Sequence, residues 1–222
     1  MTVRAQDPWF SWFVSENVEN LPYDEYIKQY IELSKKYPNS RFLITNLSSH
    51  LKEYKSKKDV QNIYNNFSNK HKNTIWAKNI ERFLYGKFQN TSLPTLDTSK
   101  HEHIVQDTSK YNLIIFTASW CKPCMEEVPI LKEIYNDLNK KLTMTYISMD
   151  KESTIKSFQN FMQRDSISWR ALLAYKDIQG ITKTYFINGI PQCILVYPDG
   201  NMEMIDVRNN DQKEKLYSVC KK

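Results

Sequence analysis

The stretch Leu113-Ile114-Ile115-Phe116-Thr117-Ala118-Ser119-Trp120-Cys121-Lys122-Pro123-Cys124 decides the fold. Its first four residues are an apolar run too short for a helix, as expected of a strand buried on both faces. Residues 125–138 then carry Val128, Leu131, Ile134, Tyr135 and Leu138 at helical spacing. Two cysteines three apart therefore fall where a buried strand hands over to a helix starting near Cys121. On a first helical turn, positions i and i+3 bring their Cβ atoms close enough for a disulfide. Pro123 is tolerated there because first-turn amides have no intrahelical acceptor. The positive end of the helix favours the thiolate of Cys121, which is expected to form below the free-thiol value of ~8.5, with Lys122 adding to the effect. This pattern points to a redox dithiol.

Blander readings fit less well. A zinc knuckle needs two more ligands at short spacing, whereas Cys193 and Cys220 are single and distant. A structural disulfide rarely spans so few residues, and inert thiols need no strand-to-helix corner. A peroxidatic Thr-x-x-Cys is absent, since Thr117 stands four residues before Cys121.

Downstream, residues 142–149 alternate as a strand, 155–162 read as a helix and 192–197 as another strand. Pro198-Asp199-Gly200-Asn201 is a turn leading into 202–207 as a hairpin partner, and 212–219 close the chain as a helix. Upstream, residues 93–96 and 103–105 look like short extended pieces. Before Gly86 the texture is helical. Tyr26, Ile27, Tyr30, Ile31 and Leu33 form a stripe after Pro22, and Tyr37-Pro38-Asn39-Ser40 ends it. Phe42, Leu43, Leu47, Leu51 and Tyr54 form a second stripe, and 60–69 and 74–85 are further helices; no clean 34-residue repeat emerges. The expectation is an α/β domain over residues 87–222 preceded by a small all-α region over 1–86. A chain of 222 residues accommodates both.

The motif and its surroundings resemble the thioredoxin superfamily. Residues 116–124 look like the active-site stretch of thioredoxins. Glu127, Pro129, Gly189-Ile190-Pro191 and Tyr197-Pro198-Asp199-Gly200 are similar to the ResA/TlpA branch of membrane-linked or periplasmic thiol-disulfide oxidoreductases. An N-terminal helical extension matches thioredoxin-like proteins of Bacteroidetes in style. The resemblance covers residues 88–222 and implies a thioredoxin fold, a central mixed sheet flanked by helices. It implies Cys121 as nucleophile, Cys124 as resolving thiol and Pro191 as a cis-proline facing them. Ile190 then offers its backbone to an extended substrate, and Trp120 walls the groove. Thioredoxin itself carries a buried aspartate where Ile115 stands here. In the ResA-like branch a glutamate three residues after the second cysteine takes a comparable place, and Glu127 occupies it. Half-buried beside Cys124, it is expected to have a raised pKa and to shuttle that thiol's proton. Glu126, on the Ile130, Glu133 and Asp137 side, is the poorer candidate.

The remaining features carry less. Four glycines, at 86, 180, 189 and 200, assemble neither GxGxxG nor GxxxxGK[ST], which excludes those nucleotide-binding loops. The net charge of +6 is concentrated in the first 95 residues, which hold 14 of 31 Lys+Arg and 9 of 25 Asp+Glu. The cluster Lys52, Lys55, Lys57 and Lys58 is bracketed by Glu53 and Asp59 and reads as a solvated helix face rather than a nucleic-acid stripe. His101 and His103 share a strand face but lack a nearby third ligand, so no metal is expected. Cys193 reads as a buried structural thiol, with a disulfide to Cys220 as the alternative. Trp76, Trp169 and the cluster Trp9-Phe10-Ser11-Trp12-Phe13 read as core or, for the last, as an exposed anchor. The apolar stretch at 9–14 is shorter than a signal's h-region and is followed by Glu16 and Glu19. The family resemblance favours a removed leader, with any membrane tether lost with it, and a periplasmic or otherwise extracytoplasmic location.

The activity expected is thiol-disulfide exchange with protein substrates, with no cofactor and with an upstream thiol as electron donor. The alternative is a helical partner-binding module whose dithiol is regulatory or vestigial. Lys122-Pro123 is close to the Gly-Pro of thioredoxins, whereas the strong oxidant DsbA carries Pro-His. The couple is therefore expected nearer about −270 mV than −120 mV, as a reductant.

Overall fold

The computed structural model describes residues 21–187 and 189–221, except for the side chain of Lys52. The aromatic cluster at 9–13, with Glu16 and Glu19, lies outside the described residues. The chain divides into two compact units, residues 1–86 and 87–222.

In the first unit, α1 (Tyr23–Lys36) carries Asp24 and Glu25 in its first turn and Lys35 and Lys36 in its last, matching the helix dipole. Its Tyr30 is fully buried and donates its hydroxyl to Leu43 O at 2.7 Å. Ser40 caps α2 (Arg41–Ser49) by accepting from Leu43 N, after which Leu51–Glu53 form a 3-10 turn. The second stripe therefore spans a helix and a turn rather than one helix.

The helix expected over 60–69 is displaced. Ser56 caps α3 (Lys57–Tyr64), which starts earlier and stops earlier. Asn66 at its end donates its side chain to Asn62 O and Ser34 Oγ, drawing the chain out of helix. The short α4 (Asn69–Lys72) and the Thr74-capped α5 (Ile75–Tyr85) complete the unit. Leu43, Ile44, Leu47, Val60, Ile63 and Ile80 form its core. Within the lysine cluster, Lys55 lies over the Tyr23 ring and Lys57 donates to Leu84 O, while Lys58 is exposed.

The second unit begins with a hairpin, β1 (Ser92–Pro94) antiparallel to β2 (His101–His103). The main sheet holds β3 (Tyr111–Thr117), β4 (Leu142–Ser148), β5 (Arg170–Leu173), β6 (Gln192–Val196) and β7 (Met202–Ile205), in the order β5-β4-β3-β6-β7. β3, β4 and β5 are parallel, and β6 and β7 join antiparallel, so the sheet is mixed. Strand alternation sorts the side chains. Leu113 and Ile115 share a core with Val128, Leu131 and Ile134 of α6 (Lys122–Leu138), Phe158 and Phe161 of α7 (Ile155–Arg164) and Leu216 of the C-terminal helix (Asn210–Cys220). Phe116 packs against Tyr185, ring centroids 5.6 Å apart.

Two elements were not anticipated. β5 is only four residues long, and its Arg-Ala-Leu-Leu run shows no alternation. Tertiary contact makes it a strand: its guanidinium, on Arg170, donates to Glu102, His103 O and Thr145 Oγ1. α8 (Ile178–Thr184) contains Gly180 and β-branched residues, poor helix formers. It is held by Asp177, whose carboxylate accepts from Gly180 N at 2.8 Å. The C-terminal helix is α9 in chain order.

Candidate active site

β3 ends at Thr117, and four residues later Cys121 stands as the N-cap of α6. Its Sγ accepts from Cys124 N at 3.3 Å, so the sulfur occupies the place of a capping oxygen. Cys121 and Cys124 are joined in a disulfide, with Cα atoms 5.3 Å apart. Pro123, in the first turn, loses no helical hydrogen bond. Both cysteines are buried, Cys121 at 4% and Cys124 at 2% exposure. Cys121 is thus less open in the oxidised form than its assigned role implies, and its distinction is the helix terminus, not access. Trp120 beside it is 64% exposed. Lys122 is exposed and reaches Glu126 at 3.8 Å rather than being committed to the sulfur.

The sheet brings the second predicted feature to the same end. Phe116 pairs with Gln192 in the antiparallel β3–β6 ladder, so Ile190-Pro191, just before β6, lies at the edge from which the chain leaves β3 for Cys121. The Ile190–Pro191 bond is cis. Ile190 makes no backbone hydrogen bond among the described residues, and both residues are partly exposed.

Glu127 lies three residues after Cys124 on the same helix face. It is buried rather than half-buried, at 3% exposure. Burial pushes its carboxyl up to about 7, against the Arg208 guanidinium, which pulls it down, and with Asp206, which pushes it further up. Oε1 is 3.6 Å from Arg208 Nε, while Oε2 is buried without a hydrogen-bond partner among the described residues. Beneath lies a row across the sheet, Tyr146–Ile115–Cys193–Ile205. Burial, and after it Glu127, raises the Cys193 thiol. Cys193 and Cys220 are both buried free thiols. His101 and His103 flank Glu102 on the exposed hairpin, and no cluster of metal-ligating side chains occurs among the described residues.

Residues 109–202 match the thioredoxin-like family model. This part of the chain is a thioredoxin-like domain. Its relatives are thiol-disulfide oxidoreductases. One named thiol-disulfide oxidoreductase ResA, from Bacillus thuringiensis subsp. konkukian, is 29% identical over 108 residues, 48% of this chain and 60% of that protein. The match thus spans three-fifths of the relative's length. The thioredoxin domain of a thiol-disulfide oxidoreductase from Bacteroides vulgatus superposes with a TM-score of 0.54 at 23% identity, covering 60% of this chain and 95% of that one. A thiol-disulfide oxidoreductase from Bacteroides fragilis gives 0.53 at 24%, covering 60% and 98%. At these identities the two structures establish the fold of the thioredoxin-like domain.

Sequence reasoning missed Asp150 and Arg208. Asp150, two residues past β4 and 1% exposed, accepts from Ser119 N at 2.8 Å, Ser119 Oγ at 2.5 Å and Ser148 Oγ at 2.9 Å. It pins the loop that carries Trp120 and Cys121. The one available signal was an acid at the carboxyl end of a parallel strand, where sites in open α/β sheets gather.

Proposed function

We propose that this protein reduces disulfides in protein substrates outside the cytoplasm, with Cys121 and Cys124 as the reacting pair. The observation that carries the reading is the Cys121 sulfur at the N-cap of α6, where backbone N–H and the helix terminus favour a thiolate. In the reduced protein the Cys121 thiolate attacks one sulfur of a substrate disulfide. A Cys121–substrate bond forms as the substrate bond breaks, and the other substrate sulfur leaves as a thiolate that takes a proton from solvent. Glu127 accepts the Cys124 proton. Cys124 then attacks Cys121 Sγ, forming the internal disulfide and releasing the second substrate thiolate. Two electrons pass to the substrate, and an upstream thiol donor restores the dithiol. The backbone of Ile190, without a hydrogen bond among the described residues, suits an extended substrate segment, and Trp120 offers an apolar wall beside it. The location rests on the likeness to the ResA/TlpA branch.

The test is insulin-disulfide reduction with dithiothreitol as donor, together with a glutathione-equilibrium titration. Catalysed turnover and a potential near about −270 mV are expected. No rate above the uncatalysed reaction removes the enzyme reading, and a potential above roughly −160 mV makes the protein an oxidant.

Glu127→Gln gives a separate prediction. A carboxyl whose pKa is raised on folding binds its proton more tightly in the native state, so wild-type stability falls as pH rises from about 4.5 to 7. A rise of about 2.5 units corresponds to roughly 3 kcal/mol across that window. Glu127→Gln is expected to remove this slope in pH-resolved urea unfolding and to be the more stable protein at pH 8. It is also expected to slow resolution by Cys124 by about tenfold or more and to flatten its pH profile. Superimposed rate profiles would refute the proton-acceptor role, and superimposed stability profiles the raised pKa.

A further inference from the structure

We propose that Arg208 and Asp206, on the turn between β7 and α9, are positioning residues that set the protonation of Glu127 and with it the pH range in which the second thiol resolves. The second half of that statement rests on Glu127 accepting the Cys124 proton. The turn is firmly built. Asp206 N donates to Gln212 Oε1 at 2.8 Å, and Asp206 Oδ1 accepts from Arg208 N at 3.0 Å and Arg208 Nε at 3.2 Å. That same Nε lies 3.6 Å from Glu127 Oε1. One guanidinium is therefore shared between a half-exposed carboxylate and a buried one.

The asymmetry gives the device its sense. Arg208 is 47% exposed and Glu127 3%, so the cation stands at the boundary between the buried carboxyl and water. Opposite charge within 4–6 Å favours the ionised carboxylate, and a like charge disfavours it. Arg208 supplies the first and Asp206 the second, so the two act on Glu127 with opposite sign. The other groups facing it are its helix neighbour Cys124, which does not titrate while joined to Cys121, and the titratable Cys193 on β6 and Tyr146 on β4. Cys193 and Tyr146 are buried, and burial holds both in their neutral forms near pH 7. Among these groups, the turn is what carries charge against Glu127. Because Asp206 also holds Nε, the share of the guanidinium available to Glu127 depends on that hydrogen bond.

The experiment is a carbon-13 side-chain titration of Glu127 in the full oxidised chain, for wild type and three variants, followed by the pH profile of resolution. Arg208→Gln is expected to raise the Glu127 midpoint by roughly one pH unit. Asp206→Asn is expected to lower it, since it removes a like charge and releases the guanidinium. Arg208→Lys keeps the charge and is expected to restore most of the wild-type midpoint. General loosening of the turn would move both midpoints the same way, so a common direction, or no movement in either, overturns the proposal. The resolution profile is expected to track the midpoints; midpoints that move under an unmoved profile overturn the link to resolution. The proton-acceptor reading is tested apart from this by Glu127→Gln, whose failure leaves the midpoint measurements to decide the electrostatic claim.

Discussion

Cys121→Ser is expected to abolish disulfide-reducing turnover, by roughly a thousandfold or more, whereas Cys124→Ser is expected to retain the first attack and stop at a stable mixed disulfide. The asymmetry comes from the helix terminus. Cys121 Sγ is the N-cap acceptor of Cys124 N–H, so negative charge on that sulfur is met by a donor and by the dipole. Cys124, one turn into the helix and buried, has no such position. Exposure does not separate the two, since both are almost equally covered while oxidised. Intact-mass analysis of each variant with a model disulfide reads the outcome directly. Trapping on Cys121→Ser, with none on Cys124→Ser, would exchange the two roles.

How far this site was legible depends on how each residue reaches it. The dithiol is local: a buried run, a cap position and a first-turn proline lie within twelve consecutive residues, so strand, corner and helix all follow from short-range patterning. Glu127 was legible because helical spacing alone places it on the face of Cys124. Its full burial was not, because that depends on the β7–α9 turn closing over it. Asp150, Asp206 and Arg208 were not legible for the same reason. Nothing adjacent in sequence marks them, and each acquires its role by contact across 31 or more residues, Asp150 to Ser119 and Arg208 to Glu127. β5 and α8 fail differently. Their local preferences are weak or contrary, and an Arg170 network and an Asp177 cap decide them.

Asp150→Ala is expected to cost about 2–4 kcal/mol and to lower the melting temperature by roughly 5–15 °C, while also slowing attack by Cys121. Both carboxylate oxygens are engaged, by one backbone N–H and two hydroxyls, in a position closed to water. Hydrogen bonds to a charged acceptor are each worth about 1.5–3 kcal/mol, offset by the cost of burying the carboxylate, so the sum falls short of three full contributions. Alanine leaves the Ser119 N–H without its acceptor, and a buried donor left unpaired is what makes such truncations expensive. The loop then loses its tie to the end of β4. Its remaining bonds, Met149 N to Thr117 O at 2.8 Å and Cys121 N to Ala118 O at 3.2 Å, flank Ser119 without replacing it. Faster amide exchange is therefore expected at Ser119 and Trp120, with α6 beyond its first turn unchanged. Asp150→Asn is expected to fall between wild type and alanine, because its one oxygen, in the place of Oδ2, can still accept from Ser119 N–H and Ser148 Oγ, while its NH2 can only donate to Ser119 Oγ and the negative charge is lost. Thermal unfolding within about 1 °C of wild type, with unaltered exchange at Ser119, would show that the loop is held by its own backbone and that Asp150 is incidental to the dithiol.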